Sequence, residues 1–337
     1  MIRKQYLTKI LWTTAIILCT YLLLCGLFIF QSSYTSYQCK DPNNRPESWK
    51  LPSRDTASTE EHPHGKFPFL EIDKWQFDNY KEVTFPSRSS NVKIHAWYTE
   101  VDKHRPVIII THGIRPACKN NHEILLASAM LIQSGFNVVN IDLQNHGQSS
   151  KVSRFITYGQ KEYLDILGAY DWLKEQGYTN NQIGLMGMSL GAVTSAIAFS
   201  EEPDIKAVWL DSPYSDFNTM FCYELKSKNL PCFFKYGVRL LAKIFIGTSP
   251  DTIKTTAAIS TKNERHIFLT HGKKDKRIPF IHAEKFISTA QKKNVEIETW
   301  FIDDTKHLDA ILTYPYLYKK YLTEFFNQSL VSIKKKA

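Results

Sequence analysis

Several kinds of site are missing from this sequence of 337 residues. Its six cysteines form no C-x-x-C pair, which argues against a zinc ribbon or a thioredoxin-like redox motif. The glycine-rich turn at residues 187–191 is not followed by Lys-Ser or Lys-Thr, so it does not resemble a phosphate-binding loop. The net charge of +9 lies in small clusters, without a basic stripe interleaved with aromatic residues. We therefore expect no cofactor, no metal and no nucleic-acid partner.

The cysteines that are present leave the redox environment open. Cys39, Cys118, Cys222 and Cys232 lie beyond the apolar N-terminal stretch. Cys222 and Cys232 are close enough in sequence for a local disulfide if the domain faces an oxidising compartment. Free buried thiols are an equally good interpretation.

The longest apolar run, residues 10–30, predicts a membrane anchor. It carries no charge and is long enough to span a bilayer as a helix. Arg3, Lys4 and Lys9 precede it, so the positive-inside rule places residues 1–9 in the cytoplasm and the rest of the chain across the membrane. The alternative is a cleaved signal peptide and secretion, but no small-x-small cleavage site closes the run. We predict an uncleaved single-pass anchor.

Composition divides the remaining chain into three parts. Residues 31–68 are rich in Ser, Thr, Pro and Asn and are predicted to be a linker. Residues 69–331 form the predicted α/β domain, and residues 332–337 a basic tail. Within the domain, residues 217–262 interrupt the alternation of strands and helices. We expect a small helical lid there, at the sheet edge where such folds bind ligands, although an ordinary packing helix would look the same.

The domain's hydrophobic pattern predicts a mostly parallel, eight-stranded sheet. Two strands joined by a polar turn are followed by short apolar runs that alternate with helical patterns. This alternation places helices on both faces of the sheet. The predicted strands are 80–85, 92–99, 107–111, 137–141, 183–188, 206–210, 266–270 and 295–301, and the predicted helices include 121–134, 159–176, 281–292 and 314–329.

A G-x-S-x-G sequence at residues 187–191 joins a buried strand to an Ala-rich helix. Such a turn is sharp and leaves Ser189 exposed above the helix N-terminus. An oxyanion forming there would meet the N–H of Leu190 and the positive end of the helix dipole. The plainer alternative is a serine that only caps a buried helix.

These motifs together resemble the α/β-hydrolase superfamily, over residues 77–330. The matching pieces are THGI, IDLQNHGQS, GMSLG, HGKKDKRIP and KHLD, each placed after a predicted strand. Within the superfamily, the sequence is most similar to the acylglycerol-lipase and serine-aminopeptidase-like branch, which includes membrane-anchored members.

The resemblance implies a catalytic triad in the order nucleophile, acid and base. Ser189 is the implied nucleophile, Asp275 the acid and His307 the base. The backbone N–H groups of Ile114 and Leu190 are the implied oxyanion hole. Two points remain open: Asp211 is an alternative acid, and Lys306 stands where the family often has glycine before its histidine. The resemblance gives structural roles to His112, His146 and His271.

The sequence therefore predicts a membrane-anchored serine hydrolase. A carboxylic ester or thioester with a lipid-like or acylated character is the expected small-molecule substrate, because an anchor and an apolar lid accompany the triad. An amide or peptide substrate is the alternative, as is a non-catalytic binding protein that retains the fold. The sequence leaves the oligomeric state open.

Overall fold

A single sheet of eight strands organises the fold, in the order β1-β2-β4-β3-β5-β6-β7-β8. The computed structural model describes residues 2–35, 39, 43–59, 66–114, 117–260 and 265–330. Strand β2 is antiparallel to its neighbours β1 and β4, and the other pairs are parallel. The predicted α/β-hydrolase fold is confirmed. The strands are β1 Tyr80–Pro86, β2 Lys93–Thr99, β3 Val107–Thr111, β4 Asn137–Ile141, β5 Ile183–Met188, β6 Ala207–Asp211, β7 His266–Gly272 and β8 Glu298–Ile302.

Helices cover both faces of the sheet. Helices α3 and α10 pack on one face with Trp209 of β6, and helices α4, α5 and α8 pack on the other. The helices are α1 Ile2–Tyr34, α2 Ser53–Thr56, α3 His122–Gln133, α4 Tyr163–Glu175, α5 Leu190–Glu201, α6 Phe217–Ser227, α7 Phe234–Ile246, α8 Ile281–Lys293, α9 Ala310–Thr313 and α10 Pro315–Ser329.

The central strands β3, β4 and β5 have the predicted bounds, whereas β8 and α4 begin several residues later than predicted. Strand β8 begins at Glu298 rather than at 295, because Asn294 adopts a left-handed conformation (φ 51°) and the next N–H closes the end of α8. Helix α4 begins at Tyr163 rather than at 159. The Glu162 carboxylate accepts the N–H groups of Thr157 and Gly159 and holds those residues in a loop.

The described residues of the predicted lid segment, 217–260, contain two main helices, α6 and α7. Asn229 has a φ of 58°, and Pro231 follows it, so the chain turns between α6 and α7. A disulfide between Cys222 and Cys232 joins α6 to this turn.

Part of the predicted linker, residues 31–68, is packed onto the domain. The Trp49 side chain is fully buried, and its indole N–H donates to the carbonyl of Trp75 at 3.2 Å. A second disulfide joins Cys39 to Cys118, with 5.7 Å between their Cα atoms. The described residues of this stretch are thus attached to the domain, which a composition rich in polar residues does not reveal.

Helix α1 extends beyond the predicted anchor and enters the domain. Its last residues, including Phe30 and Tyr34, are buried in a cluster with Tyr158 and Phe217. The Tyr158 hydroxyl donates to the carbonyl of Ser33 at 2.7 Å. Among the described residues, one helical stretch, Lys9–Tyr34, is long and apolar enough to cross a membrane, with a mean hydropathy of 2.3.

Candidate active site

The turn between β5 and α5 presents Ser189 at the carboxyl edge of the sheet. Ser189 has φ 56° and ψ −118°, a strained conformation for a residue with a side chain. The close packing that this turn requires is evident at Gly191, where an added Cβ would lie 2.1 Å from the carbonyl oxygen of Thr111. A G-x-S-x-G sequence is therefore suited to this corner, and it fixes Ser189 between two rigid elements.

The structure brings the three predicted triad side chains together in one hydrogen-bonded chain. The Ser189 Oγ lies 3.0 Å from Nε2 of His307, and the Nδ1 of His307 lies 2.7 Å from Oδ2 of Asp275. With the imidazole proton on Nδ1, His307 donates to the carboxylate and accepts from the serine hydroxyl. This geometry equips His307 to remove a proton from Ser189.

Asp275 is held as a carboxylate by three hydrogen bonds and by the nearby ring of His271, whose Nε2 also donates to the carbonyl of Ile278 at 2.8 Å. Its Oδ1 accepts the backbone N–H groups of Arg277 and Ile278, both at 2.8 Å. Its Oδ2 lies 3.4 Å from Nε2 of His271 as well as accepting from His307. Burial alone would raise the pKa of Asp275, but the hydrogen bonds from His271 and His307 outweigh it and hold that pKa well below its usual value. The negative charge needed to stabilise an imidazolium at His307 is therefore always present near neutral pH.

The alternative acid, Asp211, is engaged elsewhere. Its two oxygens accept the hydroxyls of Tyr318, at 2.8 Å, and Ser212, at 2.9 Å. Burial raises the pKa of Asp211 to about 6. Because Asp275 holds Nδ1 of His307, Asp211 does not occupy the position of a triad acid.

Two other histidines stabilise the surrounding loops. His112 donates from Nδ1 to the carbonyl of Gly113 at 2.8 Å, and its Nε2 accepts the N–H of Leu143 at 3.1 Å. Burial lowers the pKa of His112 to about 3, so the ring stays neutral. His146 packs against it with the two rings tilted by 57° and 4.9 Å between their centroids. Both rings connect the loops that follow β3 and β4.

The loop after β3 lies directly against Ser189. A Cβ added to Gly113 would lie 3.3 Å from the Cβ of Ser189 and 3.4 Å from the carbonyl oxygen of Met188. Ile114 follows Gly113 and, like Ser189, lines a cavity at this edge of the sheet. Leu190 is the first residue of α5, so its N–H has no partner within the helix. Both predicted oxyanion donors thus belong to segments that border Ser189.

Two cavities meet at Ser189. The larger, about 420 Å³, is bounded by α6 and includes Tyr158, Tyr214 and Met220. The smaller, about 310 Å³, lies on the His307 side and contains Glu123. Arg277 lines both cavities. A substrate with two unequal parts could place one part in each cavity, with its reactive carbon above Ser189.

Sequence reasoning missed two features of this site. His271 was given only a loop-stabilising role, but it also lies beside Asp275; the spacing of four residues between them was the available signal. Arg277 was not singled out, although it follows the triad acid by two positions. Its placement between the cavities depends on how residues 272–278 fold over Ser189, which no local pattern reveals.

The fold and this site define the class of protein: the chain is a serine hydrolase of the α/β-hydrolase fold. It belongs to the prolyl oligopeptidase family, whose model matches residues 126–331 and thus includes Ser189, Asp275 and His307. The family match does not assign the chain to the acylglycerol-lipase and serine-aminopeptidase-like branch of the superfamily, so that assignment stays a prediction.

Known proteins resemble this chain in sequence or in structure at low sequence identity. The uncharacterized protein YqkD of Bacillus subtilis is 25% identical over 227 residues, which are 65% of this chain and 70% of YqkD. The esterase Pf2001 of Pyrococcus furiosus is 24% identical, with a TM-score of 0.61 over 75% of this chain and 92% of the esterase. An acylaminoacyl peptidase of Pyrococcus horikoshii is 17% identical, with a TM-score of 0.57 over 77% of this chain and 43% of the peptidase.

Proposed function

We propose that this protein is a membrane-anchored hydrolase that cleaves a carboxylic ester or thioester through an acyl-enzyme on Ser189. The observation that carries the proposal is the hydrogen-bonded chain from Ser189 through His307 to Asp275, with distances of 3.0 and 2.7 Å. A serine hydroxyl is a weak nucleophile without a base, and this chain supplies one.

In the proposed reaction, Nε2 of His307 takes the hydroxyl proton as Oγ of Ser189 attacks the carbonyl carbon. The backbone N–H groups of Ile114 and Leu190 stabilise the oxyanion that forms. The bond to the leaving group then breaks, and His307 gives its proton to the departing alcohol or thiol. Water attacks the acyl-enzyme, His307 takes its proton, and cleavage of the acyl–Oγ bond releases the acid and restores the hydroxyl of Ser189.

The larger cavity favours an acyl chain of moderate length. Tyr158, Tyr214 and Met220 give it apolar walls, while Lys276 and Arg277 line the same cavity together with Glu224. Apolar walls bind hydrocarbon, and the cations suit a substrate that carries negative charge or an ester oxygen near the surface. Esterases among the similar structures support ester cleavage.

A peptide or amide substrate is the second candidate. It is favoured by the family's name and by the acylaminoacyl peptidase among the similar structures. Parallel assays of p-nitrophenyl esters and acyl p-nitroanilides by the full chain in mild detergent separate the two. We expect ester turnover to exceed anilide turnover and to increase with acyl length up to the capacity of the cavity.

Membrane anchoring is supported by α1, and the two disulfides support a non-cytoplasmic position of the domain. Cleavage of a signal peptide at the end of the apolar run would remove Phe30, which is buried in the domain. Disulfides persist mainly in oxidising compartments, which favours a catalytic domain on the non-cytoplasmic side.

The decisive experiment uses Ser189→Ala beside the wild-type chain. A fluorophosphonate probe should label the wild type and leave the variant unlabelled, and ester turnover should vanish with the label. Turnover that persists in Ser189→Ala would refute the proposed acyl-enzyme. A folded wild-type protein with neither label nor turnover would favour a binding role.

A further inference from the structure

Helix α7 has an apolar face that is largely exposed in the described part of the chain. Tyr236, Leu240 and Ile244 are 61%, 60% and 64% exposed and follow one another at intervals of four residues. Phe233 lies on the same side and is also exposed. Large side chains of this kind are seldom left in water as one continuous row.

The other sides of α7 indicate its surroundings. At about 100° per residue, Lys235, Arg239 and Lys243 form a basic row on one side of the apolar face. Arg239 pairs with Asp251, so Lys235 and Lys243 are the cations left to contact headgroups. Leu241 lies on its other side and contacts α1, where it would be 4.0 Å from a Cβ added to Gly26. The apolar face therefore lies between a row of cations and the predicted membrane-spanning helix.

The end of helix α1 packs directly on the domain. Its outward side chains, such as Leu24 and Phe28, are exposed, while Ile29 and Phe30 are buried in the domain. The rings of Phe30 and Phe245 on α7 are 5.7 Å apart. The stretch from Ile10 to Phe28 rises roughly 27 Å, close to the thickness of a bilayer core. Helix α7 is thus held beside the turns of α1 that would emerge from the lipid.

We propose that α7 is a membrane-contacting helix packed along the end of α1, whose row of Phe233, Tyr236, Leu240 and Ile244 is buried in the leaflet that α1 crosses. The bilayer itself is the partner of this face. Amphipathic helices with Lys and Arg beside an apolar row lie at the boundary between headgroups and acyl chains, where the cations reach the headgroups. This inference rests on the membrane anchoring in the proposed function.

The arrangement brings the catalytic cavity to the membrane surface. Helix α6 bounds the cavity at Ser189, and the Cys222–Cys232 disulfide ties α6 to the start of the α7 region. A membrane-bound α7 therefore fixes the position of α6 relative to the lipid. An acyl chain can pass from the leaflet to the cavity without crossing bulk water.

Photo-crosslinking tests the inference directly. We would place p-benzoylphenylalanine at Leu240 in the full chain, in nanodiscs of phosphatidylcholine with a minor fraction of phosphatidylglycerol. Phe69, which is 88% exposed and lies outside α7, is the matched control position. We expect the mass of one phospholipid to be added at 240 and not at 69. A dimer crosslinked through 240, or no adduct there, would overturn the proposal.

A second measurement separates this inference from the proposed reaction. The double variant Leu240→Asp/Ile244→Asp should hydrolyse soluble p-nitrophenyl butyrate as the wild type does. Its turnover of a long-chain ester embedded in the nanodisc should fall by roughly tenfold or more, because the apolar contact with the leaflet is lost. Equal turnover of the embedded ester by both proteins would count against a membrane-bound α7. A wild type that crosslinks to lipid but hydrolyses neither ester would refute only the proposed reaction.

Discussion

Asp275 and His307 are separated by 32 positions in sequence, yet Oδ2 of the carboxylate lies 2.7 Å from Nδ1 of the imidazole. This bond fixes the tautomer that leaves Nε2 free to accept a proton from Ser189. We expect Asp275→Asn to fold and to lose turnover by about ten-thousandfold, because an amide favours the wrong tautomer. The kcat for a p-nitrophenyl ester measures the loss.

The matched control for that variant is Asp211→Asn. Asp211 accepts the Tyr318 hydroxyl and has no hydrogen bond to His307 in the observed arrangement. We therefore expect Asp211→Asn to lower the Tm but to keep most of the turnover. A ten-thousandfold loss in Asp211→Asn, with near-normal turnover in Asp275→Asn, would exchange their roles.

Acid should destabilise the domain through buried neutral histidines. Burial lowers the pKa of His282 to about 4, and its Nδ1 accepts the N–H of Ser215 at 3.1 Å. Since a histidine in the unfolded chain titrates near 6.5, the stabilisation is complete above that pH and is lost as the pH falls towards 4. The shift corresponds to about 3 kcal/mol for this one residue.

Thermal unfolding between pH 7.5 and 4 should therefore show a smaller decrease in Tm for His282→Asn than for the wild type. Asparagine keeps an acceptor for the N–H of Ser215 but does not titrate. His266→Asn, at an exposed position, is the control. Identical pH dependence in His282→Asn and the wild type would show that His282 is not a source of the acid sensitivity.

The end of α1 should contribute to the stability of the domain. Phe30 is buried, so Phe30→Ala should lower the free energy of unfolding by about 3 kcal/mol or more. Phe28, two residues earlier and 74% exposed, provides a control on the same helix, and Phe28→Ala should leave the unfolding of the domain unchanged. Denaturant titration in mild detergent measures both. Equal effects would mean that α1 does not pack on the domain as observed.

Both disulfides should be present in protein isolated from membranes. We expect four more maleimide labels on the denatured chain after reduction than before it, and two fewer of these additional labels in the double variant Cys39→Ser/Cys118→Ser. Loss of that bond, which links residues 79 positions apart, should lower stability by about 4 kcal/mol. Equal labelling before and after reduction would indicate a reducing compartment for the domain.

The sequence predicted the features that depend on local patterns. Strand β5 and the turn at Ser189 are encoded within a few residues, and the predicted bounds of β5 match the structure. Asp275 and His307 were implied by the resemblance to the α/β-hydrolase superfamily, through the HGKKDKRIP and KHLD motifs, because strand position alone fits Asp211 as well. Their hydrogen bonds, and the second contact of Asp275 with His271, depend on loop geometry that no local pattern fixes.

Contacts between distant segments could not be predicted. Helix α1 is apolar on all sides, so its sequence does not show which side meets α7. The Cys39–Cys118 bond joins the predicted linker to the loop after β3, and only the folded chain brings these cysteines together. The burial of Trp49 has the same origin, because a single tryptophan in a polar stretch gives no periodic signal.

The hydrogen bond between the Tyr158 hydroxyl and the Ser33 carbonyl attaches the catalytic domain to the end of α1. In the proposed membrane-anchored enzyme, a domain joined to α1 in this way would not sample the surrounding volume, and its encounters would be confined to the plane of the membrane. Its rate should then follow the mole fraction of substrate in the membrane rather than the bulk concentration. Diluting the substrate with inert lipid would slow catalysis even when the total amounts of enzyme and substrate stay the same.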